Sequence, residues 1–218
     1  MAATVPVAAL ALLPILNQEL DAHWPTMPMR SSVAAQIEKE SCITLKHRKC
    51  WNTRAELKTS REYGFGLGQI TITKRFNVFE ELKASNKALA DWKWEDRFDA
   101  RYQLRAVVIK DLQSFRAMKG AATPMDQLKM AYSAYNGGIG GVNKDRVLCG
   151  RTKGCNPKIW DGNVELTSYK SRIAVKGYGQ SFYDINRGYV RQVVDLLPRR
   201  QKYIPFFEGS SETNSAQH

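Results

Sequence analysis

Apolar residues recur at helical spacing from the start of the chain. They lie three or four residues apart at Leu13, Leu16, Leu20 and Trp24. This pattern predicts a first core helix that starts near Pro14, because proline is tolerated in the first turn of a helix. The apolar stretch at 1–16 has no positively charged start and is too short to span a bilayer, so we interpret it as core; a short uncleaved export signal is the alternative.

A second helix is predicted by Val33 and Ile37, and it carries a carboxylate on its apolar face. The candidate N-caps are Ser31 and Ser32. At about 100° per residue, Glu40 falls about 20° from Val33, whereas Glu38 falls well away from that face. Burial without a cation destabilises a carboxylate, so we expect the pKa of Glu40 to be raised. Glu40 is then either a helix-end carboxylate that faces solvent or an arginine, or a proton donor held neutral near its working pH.

The middle of the chain predicts a small β element and a long helix. The segment EYGFGLGQITIT at 62–73 is punctuated by glycines and ends in alternating β-branched residues, which favours a hairpin or an extended loop. An amphipathic helix follows and ends at Gly120. Its apolar face consists of Phe98, Tyr102, Ala106, Ile109 and Leu112.

Two further helices are predicted in the last third. The first has Thr123 as N-cap, Pro124 at its first position and Asp126 in its first turn, and Gly137–Gly138 end it. The second places Tyr189, Val193 and Leu196 inward and ends at Pro198. The basic stretch 143–180 is expected to be an irregular insertion, and 201–218 a partly disordered tail. The chain is therefore predicted to be one mostly helical domain over 1–200.

The charge balance indicates a polyanionic partner. The 218 residues carry a formal net charge of +12, which suits nucleic acid, an anionic membrane face or an acidic cell-wall polymer. No helix-turn-helix, zinc-finger or RNP-like pattern is present, and the basic residues are scattered over several segments. We therefore expect neither a nucleic-acid partner nor stable membrane insertion.

The four cysteines favour two local disulfides in an oxidising compartment. Cys50 follows Cys42 by eight residues, and Cys149 and Cys155 bound the loop CGRTKGC. One alternative is a zinc site that uses Cys42, His47, Cys50 and a distant cysteine, although no close C-x-x-C pair supports it. The other alternative is four free thiols in a cytosolic protein.

Four short motifs occur in a familiar order: ES at 40–41, GLGQI at 66–70, AYNGG at 134–138 and RGYV at 187–190. In order and spacing they resemble the soluble lytic transglycosylase family, which is related to goose-type lysozyme. The resemblance covers about residues 10–197 and implies a mainly α, α+β lysozyme-like fold, a helical bundle with a small β-hairpin beside the substrate groove. The short chain also resembles a bacteriophage endolysin or virion-associated lysin of this class.

The resemblance implies a role for each motif residue. Glu40 matches the catalytic acid, Ser41 its usual neighbour and an expected substrate contact, and Gln69 the glutamine that lines the sugar groove. Tyr135 and Asn136 match a pair near the acid, with Tyr135 orienting it. The remaining implied substrate-binding residues are Gly66 and Gly68, whose exposed amides would bind acetamido groups, and Tyr189, an aromatic behind the site. Two positions depart from the family, which often has a glutamate where this chain has Ile185 and a bulkier residue where it has Gly68.

The implied reaction cleaves the β-1,4 bond between N-acetylmuramic acid and N-acetylglucosamine in peptidoglycan. Glu40 acts first as acid and then as base, the C6 hydroxyl closes a 1,6-anhydro ring, and no metal or cofactor is needed. We expect a monomer that acts in the bacterial periplasm or cell wall. The alternatives are a hydrolytic muramidase that recruits Glu62, Asp99 or Asp184 as a second acid, a basic nucleic-acid-binding protein, and an inactive wall-binding protein.

Overall fold

The computed structural model of the chain describes residues 4–42 and 50–207. The fold is mainly helical with a small three-stranded antiparallel sheet. The helices are α1 (Val7–His23), α2 (Arg30–Ser41), α3 (Val78–Ser85), α4 (Ala100–Ala117), α5 (Pro124–Gly137), α6 (Ile139–Arg151), α7 (Phe182–Val190), α8 (Leu197–Gln201) and α9 (Ile204–Phe207). The strands are β1 (Glu56–Lys58), β2 (Glu62–Phe65) and β3 (Ile70–Thr73).

The chain divides into two compact units. The first comprises the chain up to Lys110 together with the residues from Leu196 onward, and the second is Asp111–Asp195. Among the described residues, no helix is both long and apolar enough to cross a membrane.

Helix α1 begins seven residues earlier than the sequence predicted, so that Pro14 lies inside it. The predicted apolar face is buried: Leu13, Leu16, Leu20 and Trp24 are nearly inaccessible to solvent. Ala9 is also buried, so the packed face continues on both sides of the proline. Pro14 itself is exposed. Proline has no backbone N–H and cannot make the usual helical hydrogen bond. The packing of the buried face on both sides of Pro14 therefore stabilises the helix at this position.

Helix α2 also begins earlier than expected, at Arg30 with Met29 in the N-cap position. The two predicted N-cap serines, Ser31 and Ser32, instead lie buried in the first turn. The Ser32 hydroxyl donates to the Met29 carbonyl at 2.6 Å. The expectation about the apolar face is confirmed, because Val33 and Ile37 are fully buried.

The predicted hairpin is present as part of a three-stranded meander in the order β1-β2-β3. Phe65 at the end of β2 pairs with Ile70 at the start of β3, so the glycine-rich motif forms the connecting turn. The core of the first unit is a cluster of apolar side chains. They come from the sheet, from α3 and α4, and from the segment between those two helices. The cluster contains Phe65, Ile70, Phe79, Leu82, Leu89, Trp92, Ala106 and Ile109, with the predicted Phe98 and Tyr102 packed at its edge.

In the second unit, α5 starts and stops as predicted. The Thr123 hydroxyl accepts from the Asp126 amide at 3.0 Å, Pro124 occupies the first helical position, and Gly137 is the last residue. The predicted irregular insertion is wrong at its start, because 143–151 belongs to α6. The buried positions of α6 are Val142, Asp145 and Cys149. A charged residue in the middle of this stripe concealed the helix from an apolar pattern.

The last predicted helix is interrupted. Helix α7 ends at Val190, and Arg191–Asp195 forms a π-helical turn. Tyr189 and Val193 are buried as predicted, but Leu196 is 45% exposed, because a π turn takes more residues per revolution and rotates the residues after it. Pro198 does not end a helix, since it lies in the first turn of α8.

Both predicted disulfides are confirmed. Cys42 is bonded to Cys50 and Cys149 to Cys155, which rules out the zinc and free-thiol alternatives for these residues; His47 lies outside the described residues. Cys149 is in α6 rather than in a loop. Of the predicted C-terminal tail, the described part to 207 contains the end of α8 and α9, and its Tyr203 is fully buried.

Candidate functional site

The end of α2 carries two glutamates with opposite environments. Glu38 is 8% exposed, whereas Glu40 in the last turn is partly exposed. The expectation that Glu38 points away from the protein is therefore wrong. Between them, burial lowers the pKa of Lys39, while the negative charge of Glu40 opposes that shift and the positive charge of Arg199 adds to it. Glu40 thus lies beside a partly desolvated cation and is partly exposed to solvent.

Glu38 is buried because residues near the end of the chain neutralise it. The Lys202 ammonium lies 2.7 Å from its carboxylate, and Arg199 lies 3.8 Å away on the other oxygen. The Tyr203 hydroxyl also donates to Glu38. Burial, and then the nearby charge of Glu38, raise the pKa of Tyr203, so its hydroxyl stays a donor. Buried carboxylates require this kind of pairing.

The same tyrosine connects this cluster to the residues that follow α2. The Trp51 indole donates to the Tyr203 hydroxyl at 2.9 Å, and the Trp51 amide donates to the Ser41 hydroxyl at 2.7 Å. Ser41 in turn donates to the Ile37 carbonyl at 2.6 Å. Trp51 has a positive φ of 63°, a backbone conformation that bulky residues adopt only when their surroundings enforce it.

These contacts hold the residues on either side of Glu40 and so restrict the position of Glu40 itself. Ser41, which the resemblance implied as a substrate contact, is buried and uses its hydroxyl within the protein. The Cys42–Cys50 disulfide joins the first residue after the helix to the segment that contains Trp51. We name the set Glu38, Ser41, Trp51, Lys202 and Tyr203 the α2 anchor.

The turn that contains GLGQ is tightly packed, and its amides are not exposed as expected. The Gly66 amide donates to the Ala55 carbonyl at 2.7 Å, and the Leu67 amide donates to the Gln103 side chain at 2.9 Å. Gly66 has a φ of 73°, and a Cβ there would lie 2.5 Å from Gln103. Gly68 is buried as well. Gly66 is therefore required by backbone conformation and close packing, and Gln103, a residue that sequence reasoning missed, holds the turn.

Gln69 closes this turn with an oriented amide group. It has a positive φ of 44°, and its side-chain nitrogen donates to the carbonyls of Gly66 at 3.0 Å and Ala55 at 3.3 Å. Its side-chain oxygen packs against Gly64, where a Cβ would lie 2.8 Å away. That oxygen accepts no hydrogen bond from the described part of the chain. The side-chain oxygens of buried amides normally accept a hydrogen bond, so the oxygen of Gln69 is an exception.

In the second unit, the structure brings Tyr135 and Tyr189 together. Their rings are nearly parallel, with an interplanar angle of 7° and centroids 6.4 Å apart. Both are buried. Tyr189 therefore backs the ring of Tyr135 and limits its rotation, which is an arrangement that orients a hydroxyl.

Asn136 is exposed at the end of α5, and a buried network supports it. Its side-chain oxygen accepts from Asn186 at 3.1 Å, and Asn186 accepts from the Ser133 hydroxyl at 2.7 Å. Arg187 donates to the same hydroxyl at 3.3 Å and pairs with the fully buried Asp145 at 2.7 Å. We name the set Ser133, Asp145, Asn186 and Arg187 the α5 anchor. The motif RGYV contains Arg187, but the sequence did not indicate its role or that of the other three residues.

Two of the candidate second acids accept hydrogen bonds at the starts of helices. The Asp184 carboxylate accepts from the Ser181 hydroxyl at 2.6 Å in the first turn of α7. The Asp99 carboxylate accepts from the Tyr102 amide at 3.0 Å at the start of α4. Glu62 is partly exposed in β2, opposite Thr73.

Comparison of the chain with models of known protein families finds no match. A search of curated proteins finds none either. The similarity to lytic transglycosylases accordingly depends on the four motifs in the sequence.

Proposed function

We propose that the protein is a peptidoglycan lytic transglycosylase that cleaves the β-1,4 bond after N-acetylmuramic acid. The observation that carries this proposal is the contrast between the two glutamates of α2. Glu38 is paired with Lys202 and accepts from the Tyr203 hydroxyl, whereas Glu40 is partly exposed on a helix end that the α2 anchor holds in place. A general acid has to be accessible to the bond that it protonates and fixed in position.

In the proposed reaction, Glu40 donates its proton to the glycosidic oxygen, and the bond to the anomeric carbon breaks. The substrate's own N-acetyl group stabilises the positive charge that develops. The Glu40 carboxylate then removes the proton of the C6 hydroxyl, whose oxygen attacks the anomeric carbon and closes the 1,6-anhydro ring. Glu40 ends in its starting protonation state, so the cycle needs no second acid and no cofactor.

The hydrogen bonds that Asp99 and Asp184 accept at the starts of their helices favour this route over hydrolysis. An inverting hydrolase needs a second carboxylate to activate water, and these two carboxylates are already engaged by hydrogen bonds within their own helices. The C6 hydroxyl, by contrast, is part of the reacting sugar, and such intramolecular positioning replaces the contribution of a second residue.

The remaining motif residues are proposed to bind the glycan. Asn136 offers an exposed amide and Tyr135 offers a hydroxyl, whereas Gln69 contributes through the turn that it shapes, because its side-chain oxygen is buried against Gly64. The net charge of +12 would attract the protein to the carboxylates and phosphates of a bacterial wall. The disulfides indicate an oxidising compartment, and we propose the bacterial periplasm or cell wall, reached by export or by phage delivery.

The test of the catalytic acid is Glu40→Gln, measured as loss of turbidity of a peptidoglycan suspension. We expect activity to fall by at least about 100-fold, because the amide cannot donate the proton. Glu81→Gln is the matched control, since Glu81 is exposed on α3, and it should be as active as the wild type. Circular dichroism must show the same fold for both variants. Near-normal lysis by Glu40→Gln would remove the assignment.

The product decides between transglycosylase and muramidase. We expect muropeptides that end in 1,6-anhydro-N-acetylmuramic acid, which are one water lighter than hydrolytic products and resist borohydride. Mass spectrometry of the soluble fragments before and after borohydride treatment distinguishes the two. Reducible ends would make the enzyme a muramidase, and Glu62→Gln would then be the first variant to test.

A further inference from the structure

Lys170, which follows α6 in the chain, has an ammonium group with unused donors. It is partly buried, and its nitrogen donates to the Gly137 carbonyl at the end of α5, at 3.2 Å. Over the described ranges 4–42 and 50–207, no carboxylate lies within ion-pair distance of it. A lysine ammonium carries three N–H donors, so two remain for a ligand.

Two other lysines with little solvent exposure, Lys129 and Lys202, are neutralised by carboxylates, which makes Lys170 different from them. Lys129 has Asp161 and Asp195 both at 2.8 Å, and Lys202 has Glu38. Burial would lower the pKa of Lys129, but its two carboxylates raise it. Burial lowers the pKa of Lys170, and the charge of Asp145 opposes that shift, but Asp145 is itself paired with Arg187.

Two glycines leave the space that the Lys170 side chain occupies. A Cβ on Gly137 would lie 2.7 Å from the ammonium nitrogen, and one on Gly141 would lie 2.9 Å from it. Neither position tolerates a side chain without displacing Lys170. A Cβ on Gly138 or Gly140, in the same turn, would meet no atom within 4 Å, so the surface beside the ammonium is open.

The ammonium is also adjacent to Asn136. Gly137 is the next residue, and its missing Cβ would lie 2.7 Å from both the Lys170 ammonium and the Asn186 amide nitrogen. That same Asn186 nitrogen donates to Asn136. A ligand that contacts the exposed amide of Asn136 is therefore within reach of a cation that has no acidic partner among the described residues.

We propose that Lys170 is a binding site for a carboxylate of the substrate, next to the sugar that Asn136 contacts. This inference rests on the proposed function and specifies its substrate: an acidic glycan strand rather than a neutral one such as chitin. The carboxylate comes either from the peptide stem or, where the stem is absent, from the lactyl group of muramic acid. An ammonium–carboxylate hydrogen bond is of the stronger, charge-assisted kind.

The experiment measures kcat/KM of the wild type, Lys170→Met and Lys170→Arg on soluble peptidoglycan fragments. Three preparations are compared: native fragments, fragments whose carboxyl groups have been converted to amides, and fragments stripped of peptides by an amidase. Lys144→Met is the matched control, because Lys144 is an exposed lysine of α6. Thermal unfolding by circular dichroism checks the fold of each variant.

We expect Lys170→Met to lower kcat/KM on native fragments about tenfold, the equivalent of about 1.4 kcal/mol. Lys144→Met should have no such effect, and Lys170→Arg should retain most of the activity. On amidated fragments the wild type and Lys170→Met should be equal. If the loss persists on stripped fragments, the lactyl carboxylate that the amidase frees also serves as ligand; if it disappears there, only the stem carboxylate does.

An equal loss for Lys170→Met on native and amidated fragments would overturn the carboxylate site, and so would no loss on either. In both cases an active wild type would leave the proposed function intact. A wild type that releases no fragments from any preparation would instead overturn the proposed function, and the carboxylate site with it.

Discussion

In α2 the accessible Glu40 follows the buried Glu38 by two residues; in α5 the exposed Asn136 follows the buried Ser133 by three. At both helix ends, an accessible motif residue thus follows, within three residues, a polar residue whose side chain is buried and hydrogen-bonded. The two anchors differ in how deeply their ion pairs are buried. In the α2 anchor, the side chains of Lys202 and Glu38 are each 11% exposed, whereas in the α5 anchor those of Arg187 and Asp145 are 4% and 1% exposed.

This difference in burial predicts a difference in sensitivity. A deeply buried ion pair contributes little beyond an apolar pair of the same shape, but the loss of one partner leaves a charge that nothing neutralises. A pair nearer the surface can be compensated by water and by neighbouring charges. The α5 anchor should therefore be the more fragile of the two.

The largest effect is expected from Arg187→Met, which leaves Asp145 buried without its cation. We expect the free energy of unfolding to fall by about 3–5 kcal/mol, measured by urea denaturation at pH 7. The control is Arg191→Met, because Arg191 is 62% exposed and lies 3.7 Å from Glu165; it should change stability by less than about 1 kcal/mol. Equal losses for the two variants would contradict the role assigned to burial.

Tyr203→Phe tests the α2 anchor and should have a smaller effect. The variant removes the hydroxyl between Glu38 and the Trp51 indole but leaves the Lys202–Glu38 pair in place. We expect a loss of about 1–3 kcal/mol, the usual penalty for leaving a buried donor unsatisfied. Tyr169→Phe is the matched control, because Tyr169 is largely exposed, and it should be neutral. A Tyr203→Phe protein as stable as the wild type would show that the hydroxyl is dispensable.

The smallest and most specific effect is the pH dependence of the stability difference between the wild type and Tyr203→Phe. Burial raises the pKa of Tyr203 above its ordinary value of 10.0. Its contribution is therefore fully present below the pKa of the unfolded chain and is lost as the pH rises above it. The stability advantage of the wild type over Tyr203→Phe should decline above pH 10 by up to about 1.4 kcal/mol per pH unit. A constant difference from pH 8 to 11 would contradict the raised pKa.

The parts of the fold that could be predicted are those in which the signal is local. Thr123, Pro124 and Asp126 specify the start of α5 within four residues, because a cap, a fixed φ and a first-turn acid act on the nearest backbone groups. The cysteine pairs are separated by eight and six residues, so their spacing favoured these partners. The apolar residues of α1 repeat with the helical period and are buried accordingly.

The parts that could not be predicted depend on partners far away in the chain. The helical wheel placed Glu38 on the polar side of α2, but Tyr203, 165 residues later, supplies the hydroxyl that allows it to be buried. Asp145 concealed α6 for the same reason, since Arg187 lies 42 residues further on. A hydrophobic pattern treats every charge as exposed and cannot anticipate such pairs.

The sequence by itself determined the helical class, the hairpin, both disulfides and the motifs that identify Glu40, Gln69, Tyr135 and Asn136 as candidates. Only the tertiary structure decided which glutamate of α2 is buried, that the Gly66 and Leu67 amides are occupied, that Asp99 and Asp184 accept hydrogen bonds at the starts of helices, and that Lys170 lacks an acidic partner among the described residues. The physical reason is that periodicity and capping act over a few residues, whereas the burial of a charge is possible only where folding brings its partner to it.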